Sequence, residues 1–104
     1  MSYNLPWALA LATLLSLAGC SAALYVPTDE DATPAASLDD LHQGRALYVH
    51  KCGSCHVLQL PERFTQSKWE QHLREMAPRA RLNDQEKQLI WKFLLAGTER
   101  VGRK

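Results

Sequence analysis

Cys52-Gly53-Ser54-Cys55-His56 is the stretch of this chain best suited to chemistry. Two thiols separated by two residues, with an imidazole directly after the second, fit several kinds of site. Each thiol can add across one vinyl group of a porphyrin, and the adjacent histidine then sits under the iron as its proximal ligand. A structural zinc site would need more, commonly two such cysteine pairs. The chain has only three cysteines, Cys20, Cys52 and Cys55. A thioredoxin-like redox pair belongs at a strand–helix junction, and no strand pattern precedes Cys52. A disulfide across so short a loop removes little chain entropy and would be a poor staple. Covalent haem c, one per motif, is the reading that this order of residues favours.

A macrocycle must be walled in, and the surrounding pattern supplies helices to do it. Ser37 with Asp40 has the spacing of a capping box, and Leu38, Leu41, Leu47, Tyr48 and Val49 follow at helical spacing into Cys52. Gly44 falls inside that helix, where it should cost about 1 kcal/mol relative to alanine, so close packing is expected there. A second helix, led by Thr65 or Ser67, places Trp69, Leu73 and Met76 on one face; Pro78 is expected to end it at Ala77. A third has Asn83 as N-cap, Glu86 to complete the box, and Leu89, Ile90, Phe93 and Leu94 as its apolar stripe. Gly97 stands where a residue just past the C-terminus would. No segment alternates like a strand, so the class is all-α.

The folded part is expected over residues 37–104. Ahead of it, residues 1–19 read as a signal peptide, with an apolar run from Leu5 to Ala18 that is too short for a membrane span. Leu17-Ala18-Gly19-Cys20 resembles the lipobox of bacterial lipoproteins, which implies lipidation at Cys20 and a membrane anchor without a span. Ser21, where an aspartate would suggest inner-membrane retention, leans the anchor toward the outer membrane. Residues 20–36, with Pro27, Pro34 and the acidic Asp29, Glu30 and Asp31, show no periodicity. They are expected to be a flexible linker of roughly 20–25 Å. A domain as small as the remainder rarely stabilises itself by apolar burial alone, and haem would supply the missing core.

From Leu41 to Ala96 the chain resembles small bacterial monohaem cytochromes c. The resemblance rests on Gly44-Arg45-x-Leu47-Tyr48, Cys52-x-x-Cys55-His56, Pro61, Thr65-x-x-x-Trp69, Met76, Leu82 and Ile90-x-x-Phe93-Leu94. It implies a cytochrome c-like fold of three main helices around the haem, the first and last crossing tightly, with Gly44 the close-approach position and Phe93 its aromatic partner. It also implies that the Pro61 carbonyl accepts the Nδ1 proton of His56. Met76 lies where such proteins carry the second axial ligand. His72, one turn earlier on much the same face, is the rival; His42 and His50 are expected at the surface. Arg79 and Arg81 could pair with haem propionates or simply be solvated.

His/Met ligation leaves no open position on the iron, which suits outer-sphere electron transfer. No Ser/His/Asp arrangement, carboxylate pair or phosphate loop is visible, so no enzymatic activity is expected. The leading expectation is a lipid-anchored, monomeric one-electron carrier of the bacterial periplasm. The alternative is a haem-based sensor or small-ligand-binding module with a displaceable sixth ligand. Net charge is +1, yet residues 42–104 hold all 12 basic residues against six acids. That basic domain would dock an acidic redox partner. Nucleic acid is not an expected partner, because the basic residues are dispersed.

Overall fold

In a computed structural model of the protein, residues 23–102 are described. The signal-like segment and the expected lipid site at Cys20 lie outside them. Three α-helices form the domain: α1 (Leu38–Leu47), α2 (Gln66–Arg79) and α3 (Asp84–Gly102). Single 3₁₀ turns occupy Asp29–Asp31 and Pro61–Arg63, and the described residues contain no extended β-strand. None of the described helices is long and apolar enough to cross a membrane.

Each helix starts where its side chains can satisfy the first free amides. The Asp40 N–H donates to Ser37 Oγ at 3.1 Å, and the Ser37 N–H donates back to Asp40 Oδ2 at 3.4 Å. Ala36 and Leu41, flanking that cap, are both buried and pack together as a hydrophobic staple. Thr65 caps α2 by accepting the Lys68 N–H at 3.2 Å. The rings of Phe64 and Trp69, either side of that cap, meet edge-on with centroids 5.1 Å apart. Asn83 and Glu86 form the expected reciprocal box at 2.8 and 3.0 Å.

α1 crosses α3 at Gly44. A Cβ there would lie 2.1 Å from the Leu89 carbonyl oxygen and 2.8 Å from Phe93 Cβ, so only hydrogen fits. Below the crossing, α1 widens into a π-helical turn over Tyr48–Cys52 that delivers the first cysteine. Such widening is frequent at functional sites.

Three expectations need correction. Pro78 does not end α2; it sits in the last turn, and the helix runs on to Arg79. Termination comes from a Schellman arrangement instead, with the Leu82 N–H on the Ala77 carbonyl at 3.0 Å and the Arg81 N–H on the Pro78 carbonyl at 3.2 Å. Gly97 does not end α3, which continues to Gly102. It is a second close-approach site, where a Cβ would meet Pro61 Cβ at 2.4 Å and Tyr25 Cε1 at 2.7 Å.

The third correction concerns the expected linker. From Leu24 to Ala36 the chain is a strap packed on the helices. Leu24 and Tyr25 pack against the main core. The Tyr25 ring stacks on Phe93 with centroids 4.6 Å apart and planes 4° from parallel, and its hydroxyl donates to the Phe93 carbonyl. Arg45 Nε donates to the Tyr25 carbonyl at 2.9 Å, and the Arg100 guanidinium lies 4.7 Å over the Tyr25 ring. Asp31 is buried to 2% exposure and paired with Arg100 at 3.0 Å.

Candidate functional site

The π-helical turn, the loop after it, α2 and α3 enclose a cavity of about 580 Å³. That volume lies within the range of ligand pockets, roughly 300–1,000 Å³. Its walls are apolar: Tyr48, Trp69, Leu73, Ile90 and Leu94 line it, and all five are buried. The polar tips of the two aromatics are spent elsewhere. Tyr48 Oη donates to the Gln59 carbonyl at 2.6 Å and Trp69 Nε1 to the Pro61 carbonyl at 2.6 Å. The ring faces are thereby left to the cavity. Burial, with the Cys52 thiol nearby, pushes the Tyr48 hydroxyl up to about 12.

Cys52, Cys55 and His56, the residues singled out from their spacing, all open onto this cavity. Cys52 is half-buried while Cys55 and His56 are exposed. Burial, and secondarily the neighbouring Cys55, raises the Cys52 thiol above its ordinary value, so it stays protonated at neutral pH. His56 Nδ1 lies 2.9 Å from the Val57 carbonyl oxygen. A proton on Nδ1 satisfies that contact and leaves the Nε2 lone pair for a metal. The Pro61 carbonyl therefore does not fix this histidine as expected; it takes the Trp69 indole instead. The carbonyl that meets Nδ1 belongs instead to the residue next in sequence.

Met76 and His72 line the same cavity. His72 is wedged against Phe64 and Trp69, with ring centroids 4.9 and 5.9 Å apart. Its Nε2 is buried and has no hydrogen-bond partner. A buried polar atom left this way costs about 1–3 kcal/mol, and a metal ligated there would remove that cost. An apolar cavity bearing two thiols, an imidazole whose Nδ1 is engaged by a carbonyl, and an orphaned imidazole nitrogen fits a covalently held haem. His42 and His50 are exposed, as expected, and neither lines the cavity.

Residues 48–103, just over half of the chain, match the family model described as dihaem cytochrome c. The chain belongs to the dihaem cytochrome c family. Neither the curated proteins nor the solved structures contain a match to it. Membership makes this a c-type cytochrome, for which electron transfer through haem is the family's chemistry. The family description specifies two haems, whereas this chain carries a single Cys-x-x-Cys-His motif.

Sequence reasoning missed part of this cytochrome's cavity. Phe64, Gln59, Arg63 and Lys51 also line it. Only Phe64 had a legible signal: an aromatic just before the Thr65 cap, with Trp69 placed to meet it, is a staple pattern.

Proposed function

We propose that the protein is a one-electron carrier with one haem, attached through Cys52 and Cys55 and ligated by His56 and Met76. The observation that carries this reading is the shared cavity: both thiols, His56 and both candidate second ligands line a single apolar chamber. When bound, haem supplies a metal centre that gains and loses one electron. Cys52 and Cys55 anchor it and Tyr48, Trp69, Ile90 and Leu94 exclude water. A dry, rigid surround of this kind keeps the reorganisation accompanying electron transfer small. A single attachment motif supports a haem count of one.

A second reading of the sixth ligand has a specific observation behind it. The orphaned Nε2 of His72 favours His/His ligation, which would lower the reduction potential relative to His/Met. Both closed arrangements suit electron transfer rather than gas sensing. Exposing the reduced protein to carbon monoxide tests this: an unchanged spectrum is expected, and a carbon monoxide adduct would instead favour the sensor. Met76→Leu should then lower the potential sharply while His72→Gln leaves it near the wild-type value. A potential unmoved by Met76→Leu but raised by His72→Gln assigns the ligand to His72.

In the same proposal, Cys20 is lipidated and the domain works on the periplasmic side of a bacterial membrane, the outer one being favoured by Ser21. It acts as a monomer that docks acidic redox partners by means of its excess of basic residues. Support for the docking lies in the 12 Lys and Arg against six acids over residues 42–104. Partner on-rates should fall with rising ionic strength; a rate indifferent to salt contradicts the steering.

A further inference from the structure

The charged side chains around the haem cavity are all of one sign. Lys51, Arg63 and Arg79 line it, and no Asp or Glu does. Lys51 is already engaged, at 4.0 Å from Glu86. Arg63 and Arg79 take part in none of the ion pairs among the described residues. Each is carried by a different element. Arg63 closes the 3₁₀ turn Pro61–Arg63 and precedes Phe64, whose ring is fixed against Trp69. Arg79 is the last residue of α2, behind Pro78.

A helix C-terminus alone would favour a cation at Arg79. It gives no reason for Arg63, which belongs to another element and reaches the same cavity. An apolar chamber edged by two unpaired guanidinium groups selects an amphiphile with an apolar body and carboxylates at its margin. Haem has that chemistry, with two propionates. We propose that Arg63 and Arg79 bind the haem propionates. Guanidinium is the side chain suited to the task, since its fork pairs with a carboxylate through two parallel hydrogen bonds. Arg81 is not part of the site: it occupies the left-handed position after α2, at φ 56°, and does not line the cavity.

This inference rests on the haem reading, and the test separates the two. Holoprotein would be prepared as wild type, Arg63→Gln, Arg79→Gln, Arg63→Lys and Arg74→Gln. Arg74 serves as control because it lines a different cleft, with Trp91 and Glu70. Two quantities are read: the midpoint potential, and the propionate bending band in the resonance Raman spectrum. Loss of a cation beside a propionate makes the oxidised, more positive haem easier to form. Arg63→Gln and Arg79→Gln should therefore each shift the potential downward and move the propionate band. Arg63→Lys should recover most of the potential but not the band, and Arg74→Gln should change neither.

Gln variants with the potential and band of Arg74→Gln overturn the proposal, and a response at only one arginine overturns the assignment of both. A lowered potential with an unmoved band shows a distant field effect and also overturns it. Absence of covalent haem from the wild type would instead sink the haem reading itself.

Discussion

Asp31 shows how much a single buried charge can organise. Its carboxylate accepts the Thr28 N–H at 2.8 Å and a guanidinium hydrogen bond from Arg100 at 3.0 Å. Truncating one partner, Arg100→Ala, removes a charge-assisted hydrogen bond from that buried carboxylate. The expected loss is roughly 2–3 kcal/mol in a urea titration, below the fully buried range because Arg100 is a third exposed. Asp40 makes the exposed counterpart, bonded to Lys92 at 2.9 Å. Lys92 first, and the Ser37 contacts after it, hold the Asp40 carboxyl below its ordinary value of 3.8. A lowered folded-state value means its stabilisation is complete above 3.8 and fades as pH falls through the folded value. Thermal melts taken from neutral into acid should show a fall that Asp40→Asn lacks. Gly44 was legible from sequence because a mid-helix glycine is costly without a reason. Gly97 was misread because a glycine near the end of an apolar stripe carries the same signal whether it ends the helix or lets another segment touch it.

At the scale of elements, the helix starts were legible and the helix ends were not. N-caps are read from pairs of residues three apart: Ser37/Asp40 and Asn83/Glu86 both formed as the spacing required, and α2 took Thr65, the first of its two candidate caps. Ends depend on backbone conformations with weaker signals. α2 closes with Arg81 at φ 56°, a left-handed position that usually takes glycine or asparagine. Arg81→Gly should accordingly raise stability by up to about 1 kcal/mol, read as a rise in Tm with unchanged haem content. The α1–α3 crossing allows no such freedom. Gly44→Ala pushes a methyl into the backbone of Leu89, which cannot swing aside as a side chain would. A loss of roughly 3 kcal/mol is expected from chemical denaturation, at the top of the usual range for overpacking.

At the scale of the whole molecule, the strap changes what an anchor at Cys20 would do. Among the described residues Leu24 already packs on the core, so a lipid at Cys20 would sit four residues from it, within about 14 Å at full extension, rather than on a 17-residue tether. The strap was illegible because its partners are remote in sequence: Tyr25 meets Phe93 and Asp31 meets Arg100. A chain begun at Ser37 should lose roughly 3–5 kcal/mol against one begun at Ala23, from the missing stack and ion pair together. The haem chamber was only partly legible. Its thiols and histidine are announced by their spacing, but Arg63 and Gln59 arrive from a loop that has no period. The central claim is that this chamber holds one covalent haem exchanging a single electron. Spectroelectrochemical titration of the purified full chain, with haem per chain fixed by intact mass, tests it most directly. One haem and one reversible one-electron wave are predicted; no covalent haem, two haems, or no reversible wave would contradict it.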